Sequence, residues 1–283
     1  MRILRLFDPW KDEFCTCPPK YTLNPYTGCA HHCLYCYISS FIPRAFELRE
    51  KPPFVHLLVR DLEERDPGLY LSLSNSSDPY PPLERERQLT RKILSLCAEK
   101  DMPVLILTKS SLVVRDVDLL SSMKAVVSIT ITTPDDTKAR VLEPCAPSPK
   151  ERIRAIVELG KRSVPVVLRI DPIIPGITDS FTEWYPVLER IAPFLKQVVA
   201  STLKLRPDTW RRMASAFPEI RHLHRLYSER RKNSLYLSCK VRFELLGEIQ
   251  DIVHAFGLPL STCREGLPEY NDLTCDGSFF LSR

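Results

Sequence analysis

Residues 28–37 read Gly28-Cys29-Ala30-His31-His32-Cys33-Leu34-Tyr35-Cys36-Tyr37. The spacing of Cys29, Cys33 and Cys36 is C-x3-C-x2-C. That is too tight for one rigid helix or strand to present each thiol separately, so the three belong on a loop curled round a common centre. Thiolates are soft ligands that select zinc, copper(I) or iron–sulfur clusters. Structural zinc wants a fourth ligand to close its tetrahedron, and only three cysteines are local. A cubane of four irons and four sulfides held by three cysteines leaves one iron free of protein, and that iron can take a small molecule through an amine and a carboxylate. Two other readings stay open: a zinc knuckle completed by His31 or His32, and cysteines that are unpaired or joined as disulfides.

With Tyr35 as its aromatic, the C-x3-C-x-aromatic-C pattern resembles the radical S-adenosylmethionine (SAM) superfamily. The flanks narrow the likeness. Leu23-Asn24-Pro25-Tyr26-Thr27-Gly28, the His-x-Cys-x-Tyr-Cys-Tyr run, Thr108-Lys109-Ser110 and Ile173-Ile174-Pro175-Gly176 are together similar to the spore photoproduct lyase-like (DNA repair photolyase-like) branch, over nearly the whole chain. The resemblance implies a [4Fe-4S] cluster on Cys29, Cys33 and Cys36, with SAM at the open iron. It implies reductive cleavage of SAM to a 5′-deoxyadenosyl radical that abstracts hydrogen from a substrate, and a reductant such as ferredoxin or flavodoxin. Matched position by position, it carries cofactor contacts onto Tyr35, Tyr37, Ser77, Lys109 and Ser128. Ordinary packing at a barrel mouth is the plain reading of the two tyrosines, and a surface lysine or solvated turn that of Lys109 and Ser77.

One departure from the pattern bears on the reaction. In the lyase proper a cysteine after the second strand returns a hydrogen atom to the repaired base, and Asn75 stands at the equivalent position here. An amide does not donate hydrogen atoms as a thiol does, so the resemblance does not extend to thymine-dimer cleavage. Tyr35, a phenol, is then the candidate radical relay.

At 283 residues and 44% hydrophobic, the chain can bury one large core or two modest ones. No segment reaches the roughly 18 apolar residues of a membrane span, and Met1 to Pro9 lack the apolar run of a signal peptide. The expectation is a cytoplasmic protein. Its ten cysteines would then be reduced, which favours metal binding over disulfides.

Apolar runs at Tyr21–Asn24, Leu69–Leu73, Pro103–Thr108, Ala125–Thr132, Val164–Ile170 and Val198–Leu205 alternate with helical patterns at Ile38–Glu50, Leu83–Lys100, Arg115–Met123, Ser148–Lys161 and Phe181–Leu195. Six strands alternating with helices through right-handed crossovers give an α/β fold, a parallel sheet curled into a partial barrel. The resemblance implies an open (β/α)6 barrel of the radical SAM type. The domain reading is a barrel over residues 1–206, with residues 1–20 an irregular arm. Residues 207–283 form a basic, helical, cysteine-bearing extension packed on it, with a helix at Val241–Phe256 and a short strand at Leu258–Thr262.

The net charge of +5 permits a polyanionic partner without requiring one. Between Lys204 and Lys232, nine Lys or Arg face three acids, Asp208, Glu219 and Glu229. Trp210, His222, His224 and Tyr227 lie among those cations, a mixture that suits bases and phosphates, although a solvated helix face would look similar. Cys15, Cys17, Cys263 and Cys275 would meet if the chain ends pack together. They would then form a second iron–sulfur or zinc site, two disulfides, or simple buried thiols. The leading functional reading is radical chemistry on DNA or RNA. The alternatives are radical modification of a protein or peptide, and a non-catalytic metal-containing module that grips nucleic acid.

Overall fold

A computed structural model describes residues 2–7, 12–51 and 54–282, so part of the irregular arm lies outside the described residues, as do Pro52 and Pro53. The parallel sheet contains β1 (Tyr21–Leu23), β2 (Leu71–Leu73), β3 (Val104–Thr108), β4 (Ala125–Thr130), β5 (Val166–Ile173), β6 (Gln197–Thr202) and β7 (Leu260–Thr262). Each pairs in parallel with the next, in chain order. A short strand at Arg5–Leu6 adds antiparallel at the free edge of β1. The first six strands coincide with the expected apolar runs, because strands buried on both faces are continuous in Val, Ile and Leu. The C-terminal extension does more than pack on the sheet, since β7 pairs with β6 at Val198↔Leu260.

The helices that cover the outer face include α1 (Val55–Glu63), α2 (Leu89–Glu99) and α3 (Pro149–Lys161). At the start of α3 the Ser148 side chain accepts from the Glu151 amide while the Glu151 carboxylate accepts from the Ser148 amide, with Pro149 pre-set in the first turn. The helix expected over Ile38–Glu50 does not form. In its place are a 3-10 turn at Tyr37–Ser40 and a two-residue strand at Arg49–Glu50. Pro43 has no amide to donate, Arg44 takes a positive φ of 51°, and the Arg49 guanidinium donates to the carbonyls of Pro43, Arg44 and Glu47. Those carbonyls are thereby satisfied without helical amides.

Inside the curl, Leu105, Val126, Val167 and Val199 form one buried apolar layer, covered by Leu281 from the tail. Burying each is worth roughly 1.5–3 kcal/mol. Gly277 lets the tail approach, because a Cβ there would lie 2.7 Å from Val167 Cγ2. One end of the barrel interior is thus filled, and the space left is at the C-terminal ends of the strands. There α4 (Pro207–Ala216) and the segment before α5 (Cys239–Ala255) close a second apolar cluster in which Cys33 and Tyr35 are buried with Met213, Tyr227 and Leu237.

Candidate active site

A cavity of about 530 Å³ lies where the parallel strands end, the position at which sheets of this kind bind ligands. Cys29, Cys33 and Cys36 line it, together with Tyr35, Tyr37, the Ser74–Asp78 turn after β2, Lys109 after β3 and Thr130 at the end of β4.

The cysteine loop is held from several sides. Gly28 has a φ of +76°, and a Cβ there would lie 2.2 Å from the Glu47 carbonyl oxygen, so the tight entry to the loop requires glycine. The Cys29 amide donates to Ala45 O (2.8 Å) and the Leu34 amide to Leu142 O (2.9 Å). From α4, Arg212 Nε donates to Leu34 O (2.9 Å) and an Nη to Cys36 O (2.7 Å). Asp208 on the same helix pairs with Arg212 and accepts from Ser39.

Burial raises the pKa of all three thiols, that of Cys29 to about 11. Lys109 opposes that rise at Cys33, and Lys109 and Arg212 oppose it at Cys36. Ligand deprotonation is therefore coupled to metal binding. His31 is buried with Nε2 3.1 Å from Asp78 Oδ2, and His32 stacks on Phe46. Among the described residues no three His, Cys, Asp or Glu side chains already surround a single-ion position. The three thiols are uncrosslinked, share one wall and have cations behind them. That donor set fits a cluster whose irons are ligated one thiolate each.

Two buried carboxylates organise the remaining wall, and neither stood out in the sequence. Burial alone would raise the Asp78 carboxyl, but His31 and the amides of Lys109 and Tyr80 hold it down to about 2. Glu143 is likewise held down to about 2 against its burial, first by Arg152 and then by Lys109. Arg152, itself 1% exposed, lies 2.5 Å from Glu143 Oε2, and Lys109 Nζ is 4.0 Å from Oε1. The Tyr35 hydroxyl donates to Glu143 and lies 3.0 Å from Thr132 Oγ1. Glu143 and Arg152 stand only nine residues apart, but nothing in that spacing marks them as a pair; they meet because the chain turns after Leu142 into α3, which starts at Pro149.

The other positions singled out in the sequence fall as follows. Ser77 lines the cavity with its hydroxyl donating to Tyr26 O at 2.9 Å. Tyr37 lines it, is 38% exposed, and donates to Asn75 O at 3.3 Å. Ser128 is fully buried with a hydroxyl that has no hydrogen-bond partner. The β4 residue that reaches the cavity is Thr130, two positions further on and on the same strand face. In the basic segment, Tyr227 is buried and Trp210 packs against His224 at 4.8 Å, so those aromatics belong largely to packing. Lys204 is paired with Glu265 and Arg212 with Asp208.

A parallel sheet curled round a cavity lined by a three-cysteine loop defines the class of protein. The family model described as "Radical SAM superfamily" matches residues 23–185, more than half of the 283-residue chain. The chain belongs to the radical SAM superfamily, a superfamily of enzymes whose members use a [4Fe-4S] cluster and SAM. It is 32% identical over 165 residues to an uncharacterized protein of Methanocaldococcus jannaschii, a match covering 56% of this chain and 62% of that one. It is 27% identical over 224 residues to an uncharacterized protein of Mycobacterium tuberculosis, covering 72% and 65%. The chain thus spans less than two thirds of the length of these curated relatives. Among solved structures, a spore photoproduct lyase variant with bound AdoMet and dinucleoside spore photoproduct superposes with a TM-score of 0.68 at 15% identity, covering 90% of this chain and 79% of that one. SuiB of Streptococcus suis bound to S-adenosylmethionine gives 0.56 at 13% identity, covering 86% and 49%. Both show a shared fold. No helix among the described residues is long and apolar enough to cross a membrane.

Proposed function

We propose that Cys29, Cys33 and Cys36 hold a [4Fe-4S] cluster whose open iron takes SAM, and that the enzyme abstracts hydrogen from a nucleic acid, DNA or RNA. When bound, the cluster and SAM supply a 5′-deoxyadenosyl radical after one-electron reduction by a partner such as ferredoxin or flavodoxin. The observation that carries this reading is the shared wall: three uncrosslinked thiols face one cavity together with Lys109 and the Ser74–Asp78 turn. Lys109 presents a cation suited to a carboxylate, and Ser77 and the tyrosines Tyr35 and Tyr37 shape the space for the rest of the cofactor. Ser128, one layer below, contacts it only through a shift of the wall. The buried Glu143–Arg152 pair keeps Tyr35 and Lys109 in place while the second apolar cluster excludes water.

An anionic substrate is supported by the cavity's lining, in which Arg5, Lys20, Lys109, Arg169, Lys204, Arg206 and Arg264 outnumber Asp78, Asp171 and Asp276. Exposed Arg211, Arg225 and Arg230 leave further positive charge on the extension. The dinucleoside bound in the lyase that shares this fold agrees with that assignment.

Anaerobic reconstitution with iron and sulfide, followed by measurement of 5′-deoxyadenosine released from SAM under a strong reductant, tests the chemistry. Release in the wild type and none after Cys33→Ser supports it. Absence of release from a reconstituted wild type leaves a metal-containing binding module. Release without affinity for DNA or RNA transfers the substrate to a protein or peptide.

A further inference from the structure

We propose that Cys15, Cys17, Cys263 and Cys275 ligate a second metal centre, separate from that of Cys29, Cys33 and Cys36. Cys15 and Cys17 arrive on the N-terminal arm, Cys263 follows β7, and Cys275 sits in the tail that fills the barrel. The fold brings the two chain ends together at this point. Cys17 Sγ lies 3.4 Å from Cys275 Sγ, and Cys15 and Cys263 each lie within electrostatic reach of Cys17. None of the four is in a disulfide. Cys15, Cys17 and Cys263 line the same cavity as the first cysteine loop, and Cys275 is 2% exposed behind them.

Four thiols gathered from distant segments match an all-cysteine metal site, whether a zinc tetrahedron or an iron–sulfur cluster. In a zinc tetrahedron with Zn–S near 2.3 Å, neighbouring sulfurs stand about 3.8 Å apart, close to the Cys17–Cys275 contact. The four do not yet surround a single-ion position, so the metal completes the site by drawing Cys15 and Cys263 in around Cys17. Two cations stand beside the thiols, Lys20 near Cys17 and Arg169 near Cys263, each shared with a carboxylate, Asp276 and Asp171; the metal ion supplies the rest of the charge balance. A single Cys17–Cys275 disulfide would use two of these thiols and give Cys15 and Cys263 no role. The centre would tie arm to tail alongside the buried Lys20–Asp276 pair at 2.6 Å and the Arg264–Asp12 pair.

The test is metal and sulfide per chain in anaerobically purified and reconstituted protein. The Cys29→Ser/Cys33→Ser/Cys36→Ser variant is expected to retain either about one zinc or about four irons with sulfide, which identifies the centre. The Cys15→Ser/Cys17→Ser/Cys263→Ser/Cys275→Ser variant is expected to lose that metal and keep the iron of the first loop. A metal-free first variant that is folded overturns the proposal, as does a second variant with the full wild-type metal content. So does a native mass two hydrogens lighter than the reduced chain with no second metal. If the first variant does not fold, the comparison of wild type with the second decides. Because metal content is the readout, failure of the radical reading shows separately, as absent SAM cleavage with the second metal still bound.

Discussion

Arg212 on α4 donates a 2.7 Å hydrogen bond to the carbonyl of Cys36, the last thiol of the loop. A residue of the basic extension therefore acts on the three-cysteine loop through its backbone. Arg212 also donates to Leu34 O and pairs with Asp208, which in turn accepts from Ser39. Arg212→Ala is expected to cost about 2 kcal/mol, the usual worth of charged hydrogen bonds, and to lower iron retained per chain. Arg212→Lys should not rescue it, because an ammonium cannot span two carbonyls as the guanidinium fork does. Thermal denaturation and iron analysis of the two variants check both points.

Glu143 gives a pH dependence whose sign is fixed by its surroundings. Its carboxyl is held at about 2 in the fold against an ordinary 4.5. Its contribution is therefore complete above about pH 4.5 and lost as pH falls toward 2, with a magnitude on the order of 3 kcal/mol. Glu143→Gln removes this acid limb and also leaves Arg152 buried without its partner, at a cost of about 3–5 kcal/mol. Denaturation between pH 6 and pH 2 should show a lower midpoint at the upper end and a flatter slope below about pH 4.5 for the variant. An unchanged slope would remove Glu143 from the account.

Lys109 is one of the cations that line the cavity, 18% exposed at its side chain and 5.5 Å from the Tyr35 ring centroid. Burial disfavours its charge, yet Glu143 and Cys33 more than offset this and raise its pKa, so it is charged at neutral pH. Loss of a charge-assisted contact of about 1.5–3 kcal/mol predicts that Lys109→Met binds SAM about 10- to 100-fold more weakly. Titration calorimetry on the reconstituted enzyme measures it. Unaltered affinity would place the carboxylate elsewhere on the wall.

The strand series was legible because β4 and β6 are buried along their whole length, which leaves apolar runs that no other element explains. The cysteine loop was legible because three cysteines within eight residues carry their own spacing. What the sequence did not disclose depends on distant packing. Asp78 was visible only as one polar residue of a turn, and its pairing with His31 requires β2 to end beside the loop. The aromatics of the basic segment read as a binding surface, but Tyr227 faces the apolar cluster that seats Cys33. Charge density along a chain does not tell which side chains turn inward. Thr130 rather than Ser128 reaches the cavity because strand alternation gives the face and not the depth.

Tyr35 offers the sharpest separation between two roles. Its hydroxyl hydrogen is committed to Glu143, and burial together with Cys33 and Glu143 raises its pKa well above the ordinary value. A phenol so engaged positions the wall, whereas a relay must release that hydrogen to a substrate radical. Tyr35→Phe removes the hydrogen bonds to Glu143 and Thr132 and is expected to cost about 1–2 kcal/mol while SAM cleavage stays within about threefold of wild type, a barrier change under about 1 kcal/mol. Retained coupling between 5′-deoxyadenosine and modified product assigns the positioning role. Normal cleavage with product lost, or deuterium returned to SAM from a labelled substrate without net conversion, assigns the relay.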